Sequence, residues 1–349
     1  THTIGDNRRY KFCFLDIAMP ISISPIITPE LRVEIAKQVT LALQEDMATG
    51  DINAQLIPAA QTDSATIISR EPMVMAGRAW VEQVFNLLDP SMKLDWQAQD
   101  GDHVEANQVL VTLTGNTRAL LTGERTALNF LQSLSATATV VAHHVAQIAD
   151  LPTKLLDTRK TIPLLRYAQK YAVLCGGGTN HRIGLFDAFL IKENHIMACG
   201  SIAAAVAKAR EIANKPVEVE VENFDELNQA IEAGANIVML DNFSLDDTKK
   251  AVELVKDLGK PCQLEASGDV TIANLRDMAL TGVDFVSMGA LTKHIKAVDL
   301  SMRFAAKSRV AASSSSIAAE MSRRAAVPTS GETARPRPRG TAVGPQIGR

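Results

Sequence analysis

Aromatic side chains are scarce in this sequence, only 4% of 349 residues, with two tryptophans and three tyrosines among them. Nucleic-acid binders combine a broad basic surface with aromatic rings on which bases stack. A chain of net charge −3 with so few rings offers neither, so no nucleic-acid partner is expected. Cysteine is rarer still. Cys13, Cys175, Cys199 and Cys262 stand far apart with no CxxC and no Cys/His pairing. That spacing argues against a disulfide framework and against a zinc site, and it makes the reducing cytoplasm the expected compartment. No apolar run reaches the ~18 residues a spanning helix needs, and the opening THTIGDNRRYKFCFLDIA has neither an apolar core nor a small-residue cleavage site. No membrane partner is expected.

What is present is a large apolar fraction, 46%, enough to bury a substantial core in about two domains. Amphipathic periodicity begins only after Met19, so residues 1–18 read as an extension outside the fold. At the other end, residues 305–349 are rich in Ala, Ser, Pro, Gly and Arg, with SSSS and RPRPRG, and read as a disordered basic tail.

Between these ends the rhythm changes once. Residues 30–47 read as an amphipathic helix, with Leu31, Val33, Ile35, Val39, Leu41 and Leu43 interleaved with charges. SATIISR, MVMAG, KLDWQAQ and QVLVTLTG read as strands around a helix in GRAWVEQVFNLL, and a long helix runs from Thr117 to Ala149. DGDHVEANQVLVTLTG resembles the hammerhead turn of biotinyl and lipoyl carriers, but no lysine sits at a hairpin tip, so a carrier role is not expected. Further on, KLLD, FDAFLIK, PVEVEVE, ANIVMLD, CQLEASG and VDFVSMG alternate with helical patterns, the mark of parallel strands joined by crossovers. The expected fold is α/β: an N-terminal α/β sandwich-like domain over 19–132 and a β/α barrel over 133–304. Each strand-like run ends on a polar residue, and in such barrels the C-terminal strand ends share one face.

The richest segment is 157–195. Arg159, Lys160, Arg166, Lys170, His181, Arg182 and Lys192 lie among apolar residues in an otherwise acidic protein. Unpaired cations at buried strand ends are costly, so these either pair with acids or await an anion, and so many on one face favour a small, multiply anionic ligand. Glu220 and Asp241 end consecutive strands. They suit a hydrated Mg²⁺ held mainly through substrate phosphates, or they are partners of Lys192 and Lys160; the sequence leaves both open. Turns at Ala266-Ser267-Gly268 and Ser287-Met288-Gly289-Ala290 offer backbone amides to a phosphate. Gly176, Gly177 and Gly178 fit neither GxGxxG nor a P-loop and read as a tight turn. Cys175 reads as a buried, inert thiol, and His195 as a ligand contact or a satisfied loop histidine.

These residues, in this order, resemble the quinolinate phosphoribosyltransferase family. The resemblance covers roughly residues 31–304 and rests on GERTALNFLQSLS, DTRKT, KYAVLCGGGTNHR, LIKENH, VEVEVEN, IVMLDNF, LEASG and SMGALTKH. It implies an open barrel with fewer than eight strands, and a homodimer or higher assembly whose subunits complete each other's sites. By resemblance, Arg125 reaches into the partner's pocket. Thr158, Arg159, His181, Arg182 and Lys192 bind the dicarboxylate quinolinate, and Lys160 lies near phosphoribosyl pyrophosphate. Glu220 and Asp241 surround Mg²⁺, the implied cofactor, and the ribose. Ser267, Gly268, Asp269, Met288, Gly289 and Ala290 cradle the 5-phosphate. Lys160, Glu220 and Asp241 are the expected catalytic residues. The alternatives are a relative that uses nicotinate or another pyridine or purine acid, and a silent binding protein on the same fold. One departure stands out. The family has glycine after DTRKT, one residue and proline, and here that place is Leu164, where a positive φ is unfavourable.

Overall fold

The computed structural model describes residues 25–305. The expected extension over residues 1–18 lies outside them, as does the expected tail beyond Ala305. No helix among the described residues is long and apolar enough to cross a membrane.

The first part is built on a long helix and an antiparallel sheet. Helix α1 (Pro29–Met47) starts where Thr28 accepts the Leu31 N–H at 3.2 Å, with proline in its first turn, and buries Ile35, Gln38, Val39 and Leu43. There follow β1 (Thr62–Ser69), β2 (Met73–Val74), α2 (Arg78–Leu88), β3 (Lys93–Trp96), β4 (His103–Val104) and β5 (Val109–Asn116). Helix α3 (Thr117–Val145) is capped by Asn116, which accepts two backbone N–H groups. It packs a fully buried layer of Leu120, Leu128, Leu131 and Leu134 against the buried Trp80 and Phe85 of α2. Residues 132 and 133 lie within this one unbroken helix.

The second part has the alternation its sequence predicts. Strands β6 (Lys154–Leu156), β7 (Phe189–Ile191), β8 (Val217–Val221), β9 (Ile237–Asp241), β10 (Gln263–Ser267) and β11 (Phe285–Ser287) form one all-parallel sheet in the order β6-β11-β10-β9-β8-β7. The intervening helices are α4 (Arg166–Cys175), α5 (Glu193–Cys199), α6 (Ile202–Ile212), α7 (Phe224–Glu232), α8 (Leu245–Leu258), α9 (Leu275–Ala279) and α10 (Ala290–Lys293). Ser201, Asn223 and Ser244 each cap the helix that follows by accepting an N–H three residues on. β6 and β7 are neighbours in sequence but lie at opposite edges of the sheet, so the barrel is open between them. The final strand, β12 (Leu300–Phe304), leaves the barrel and pairs antiparallel with β1, giving the first sheet the order β12-β1-β5-β3.

Within the curved sheet, strand alternation sorts side chains into layers. Odd-numbered residues of β8, Val217, Val219 and Val221, face the helices, whereas Glu218 and Glu220 face inward. Leu156, Ile237 and Phe285 form an apolar floor. The buried Glu218 and Glu265 stand in register with Ile237 and Phe285, and the open strand ends lie beyond them.

Candidate active site

The strand ends bring together most of the residues the sequence predicts. Lys192 follows β7, Glu220 belongs to β8, Asp241 ends β9 and Ser267 ends β10 beside it in register. Lys192 and Glu220 form an ion pair. Asp241 does not pair with Lys160; its Oδ2 accepts from Asn242 Nδ2 at 3.2 Å. Lys160 instead lays its aliphatic stem across Gly289, where an added Cβ would come within 2.6 Å of its Cδ. Its carbonyl accepts from Thr292 Oγ1 at 2.8 Å. Thr158 Oγ1 accepts the Lys160 N–H at 3.0 Å, which folds the chain locally after β6. Gly268, at φ 116°, leaves room for Asn242, whose Oδ1 would lie 2.1 Å from a Cβ. Lys160 thus reaches the Met288–Ala290 turn, while Asp241 and Asn242 meet the Ser267–Asp269 turn. Helical support for these turns is weaker than expected. α10 is a single turn of four residues, and α9 begins only at Leu275, so the turns offer mainly their own amides.

Arg159 and Arg182 form the cationic half of the site. The Arg159 Nε is buried and has no hydrogen-bond partner among the described residues. Arg182 is held below its usual pKa by burial and then by the neighbouring charge of Arg159, so two guanidinium groups disfavour each other at close range. Its contacts include a 3.4 Å bond from Nη1 to the Ala188 carbonyl. Like charges and an orphaned donor gathered in a part-buried recess are matched by an anion with more than one negative group.

His181 stands behind this pair, not free toward it. Its Nε2 lies 2.9 Å from Glu218 Oε2 and 3.4 Å from Glu265 Oε2, and its Nδ1 accepts the Arg182 backbone N–H at 2.7 Å. Both ring nitrogens are engaged, one by the Arg182 backbone and the other by Glu218. His181, Glu218 and Glu265 are spaced as a cation site would be. A ring that accepts at Nδ1, however, carries its proton on Nε2, where a metal needs a lone pair, so the tautomer does not fit a metal ion. Burial opposes charging the ring, but the two carboxylates outweigh it and raise the His181 pKa to about 10. Burial, then repulsion from Glu265, raises that of Glu218 to about 7. Glu218 Oε1 and Glu265 Oε1 are buried with no hydrogen-bond partner among the described residues.

Two cations of the predicted set serve the frame. Lys170 is buried against Asp157 and donates to the His181 carbonyl at 2.9 Å. Asp157 also accepts from Asn180 Nδ2 and the His181 N–H, at 2.7 and 2.8 Å. This network joins the end of β6 to the segment that carries His181 and Arg182. Arg166 braces the chain through Thr161 Oγ1 and the Ile183 carbonyl, each at 3.1 Å. The Cys175 thiol is buried and its pKa is pushed far up by that burial, so it is inert. His195 is the satisfied histidine: it lies in α5, a helix the sequence reading missed, and its Nδ1 accepts the Lys192 N–H at 3.0 Å. Arg125 is exposed on α3 and opens onto a cleft lined by Leu41, Phe130 and Leu164, away from the strand-end cluster. Missed outright was Glu218, and Glu265 was given no role. For Glu218 the signal was alternation, since VEVEVE puts acids on the inner face of a parallel strand, where apolar residues are the rule.

An open α/β barrel with cations, strand-end acids and glycine turns at its mouth defines an enzyme of the phosphoribosyltransferase class. Residues 47–135 match the N-terminal domain of quinolinate phosphoribosyl transferase, and residues 137–303 match its C-terminal domain. A probable nicotinate-nucleotide pyrophosphorylase [carboxylating] of Synechocystis is 43% identical over 75% of this chain and 89% of its own length. One of the same name from Bacillus subtilis is 40% identical over 78% and 93%. The solved nicotinate-nucleotide pyrophosphorylase of Francisella tularensis superposes with a TM-score of 0.75 at 53% identity, covering 78% of this chain and 97% of the other. The chain belongs to the quinolinate phosphoribosyltransferase family.

Proposed function

We propose that the protein joins quinolinate to phosphoribosyl pyrophosphate, releasing pyrophosphate and CO₂ and leaving nicotinate mononucleotide, a step in NAD synthesis. The observation that carries this reading is the buried, unpartnered Nε of Arg159, whose guanidinium charge opposes that of Arg182. Arg159, Arg182 and Lys192 hold the two carboxylates, with Thr158 shaping the turn between Arg159 and Lys160. His181 steadies Arg182 from behind.

The pyridine nitrogen is itself the nucleophile, so it attacks C1 of the ribose without a general base. The work left to the protein is alignment and charge stabilisation. Lys160 faces the departing pyrophosphate. The amides of Ser267, Gly268 and Asp269 and of Met288, Gly289 and Ala290 receive the 5-phosphate. Glu220 and Asp241, hard oxygen donors on adjacent strands, hold the ribose hydroxyls and fit Mg²⁺, either directly or through water. Mg²⁺ when bound supplies positive charge to the pyrophosphate. Lys192 releases Glu220 as it turns to a substrate carboxylate. The bond from C2 to its carboxylate then breaks, its electron pair stays on C2 beside the quaternised nitrogen, and C2 takes a proton from solvent. Arg125 of a second protomer closes the pocket in a homodimer.

Incubation with labelled quinolinate, phosphoribosyl pyrophosphate and Mg²⁺ is expected to yield nicotinate mononucleotide and labelled CO₂. Turnover of nicotinate but not quinolinate would replace the substrate, and no turnover of either would overturn the reading.

A further inference from the structure

Loop 158–165, which carries Arg159 and Lys160, holds an unfavourable conformation. Leu165 N–H donates to the Ile162 carbonyl at 3.1 Å, closing a turn with Pro163 second and Leu164 third. Leu164 has φ 67°, as the third position of a type II turn demands and as a side chain other than glycine resists. Its side chain is 79% exposed, so packing does little to offset the strain. Something else must hold the turn.

Most of the loop's restraints come from the barrel. Gln169 Oε1 accepts the Ile162 N–H and its Nε2 donates to the Thr292 carbonyl, both at 2.8 Å, while Thr292 and Arg166 tie down the Lys160 carbonyl and Thr161. The strained residue itself is gripped from elsewhere. Gln38 of α1 donates from Nε2 to the Leu164 carbonyl at 2.9 Å, and its Oε1 accepts Trp80 Nε1–H at 2.7 Å. Indole N–H only donates and a carbonyl only accepts, so the Gln38 amide has a single workable orientation. Gln38 is 7% exposed, and breaking the bond would leave buried polar groups unpaired. Its helix begins at Pro29, ahead of the segments that match the family domains, which start at residue 47.

We infer that Gln38 is a positioning residue: it clamps Leu164 in the left-handed turn and so fixes where Arg159 and Lys160 stand at the barrel mouth. The identity of the substrate in the test rests on the function proposed above; the clamp does not. A weakened clamp lets φ of Leu164 relax and shifts the loop, whereas glycine at 164 adopts the same turn without help.

The test uses full-length Gln38→Ala, Leu164→Gly and the double variant, with steady-state kinetics, calorimetric quinolinate binding and hydrogen exchange of the loop amides. Gln38→Ala is expected to raise KM for quinolinate about tenfold with a smaller change in kcat. Adding Leu164→Gly should bring KM back to within about threefold of the parent. Exchange at residues 162–165 should quicken in Gln38→Ala. An unchanged KM, or a defect that glycine at 164 does not relieve, overturns the inference. If Gln38→Ala does not fold, Gln38→Met keeps the volume without the bonds and is expected to give the same KM shift and the same rescue. Should the parent protein not use quinolinate, the proposed function fails, and loop exchange alone still decides the clamp.

Discussion

In the proposed site, Arg159 is the residue whose loss is expected to matter most. Its buried Nε lacks a partner, so its guanidinium contributes little to the fold as it stands, and removing it takes away a repulsive neighbour of Arg182. Arg159→Ala is therefore expected to lower kcat/KM by about 10³-fold or more while the melting temperature hardly changes. Parallel activity and thermal unfolding measurements check this; full activity would remove Arg159 from the mechanism. Much at this scale was legible. The cations, the strand-end acids and the odd Leu164 were readable as residue types at motif positions. Their partners were not. That His181 has both nitrogens committed, and that Gln38 reaches Leu164 across 126 positions of chain, depends on a fold no local pattern encodes.

The elements hold the site through two buried polar links. In the first, Asp157 at the end of β6 and Lys170 of α4 are almost wholly buried, and each is the other's charge partner. Burial pushes Asp157 up and Lys170 down, and the ion pair opposes both shifts. Asp157→Ala is expected to cost about 3–5 kcal/mol, because Lys170 would stay buried without its counter-charge. Adding Lys170→Met should recover most of that stability in denaturant melts without recovering activity, since the Asn180 and His181 amides lose their acceptor.

The second link joins the first sheet's domain to α4. Asp100 accepts from Tyr171 Oη at 2.7 Å and from the Arg78 N–H at 3.1 Å. Burial, opposed by those bonds, raises its pKa to about 6 from an ordinary 3.8. A carboxyl whose pKa is raised by folding binds its proton more tightly in the native state. The associated stability is complete below about pH 4 and fades as pH rises to about 6, by up to roughly 3 kcal/mol. Asp100→Asn should flatten the melting temperature over that interval relative to the parent, and identical profiles would refute the link. Strands and helices themselves were largely readable, because short β-branched runs and 3.6-residue periods are local properties. α5 was missed because ENHIMAC is brief and follows a strand end directly, with Lys192 in the N-cap position where serine or aspartate is the usual signal.

At the scale of the molecule, the cleft at Arg125 has no residue of the strand-end cluster in its lining, as the proposed site completed by a second copy would have it. Mixing Arg125→Ala with Lys160→Ala protomers under exchanging conditions tests this. Each variant alone should be nearly inactive. Random two-fold pairing gives half heterodimers, each with one intact site, so the mixture should regain about a quarter of parent activity. No recovery would place Arg125 in its own protomer's site or outside the chemistry.

The return of β12 to β1 has a consequence for synthesis. The first sheet takes its outer strand from residues 300–304, almost the whole described chain later. While the polypeptide emerges from the ribosome, β1 keeps a bare edge until the barrel between has been made, so the amino-terminal half cannot finish folding first. A nascent chain stalled short of Leu300 would carry an unfinished sheet, and the last of the described strands to be translated is the one that seals the first sheet.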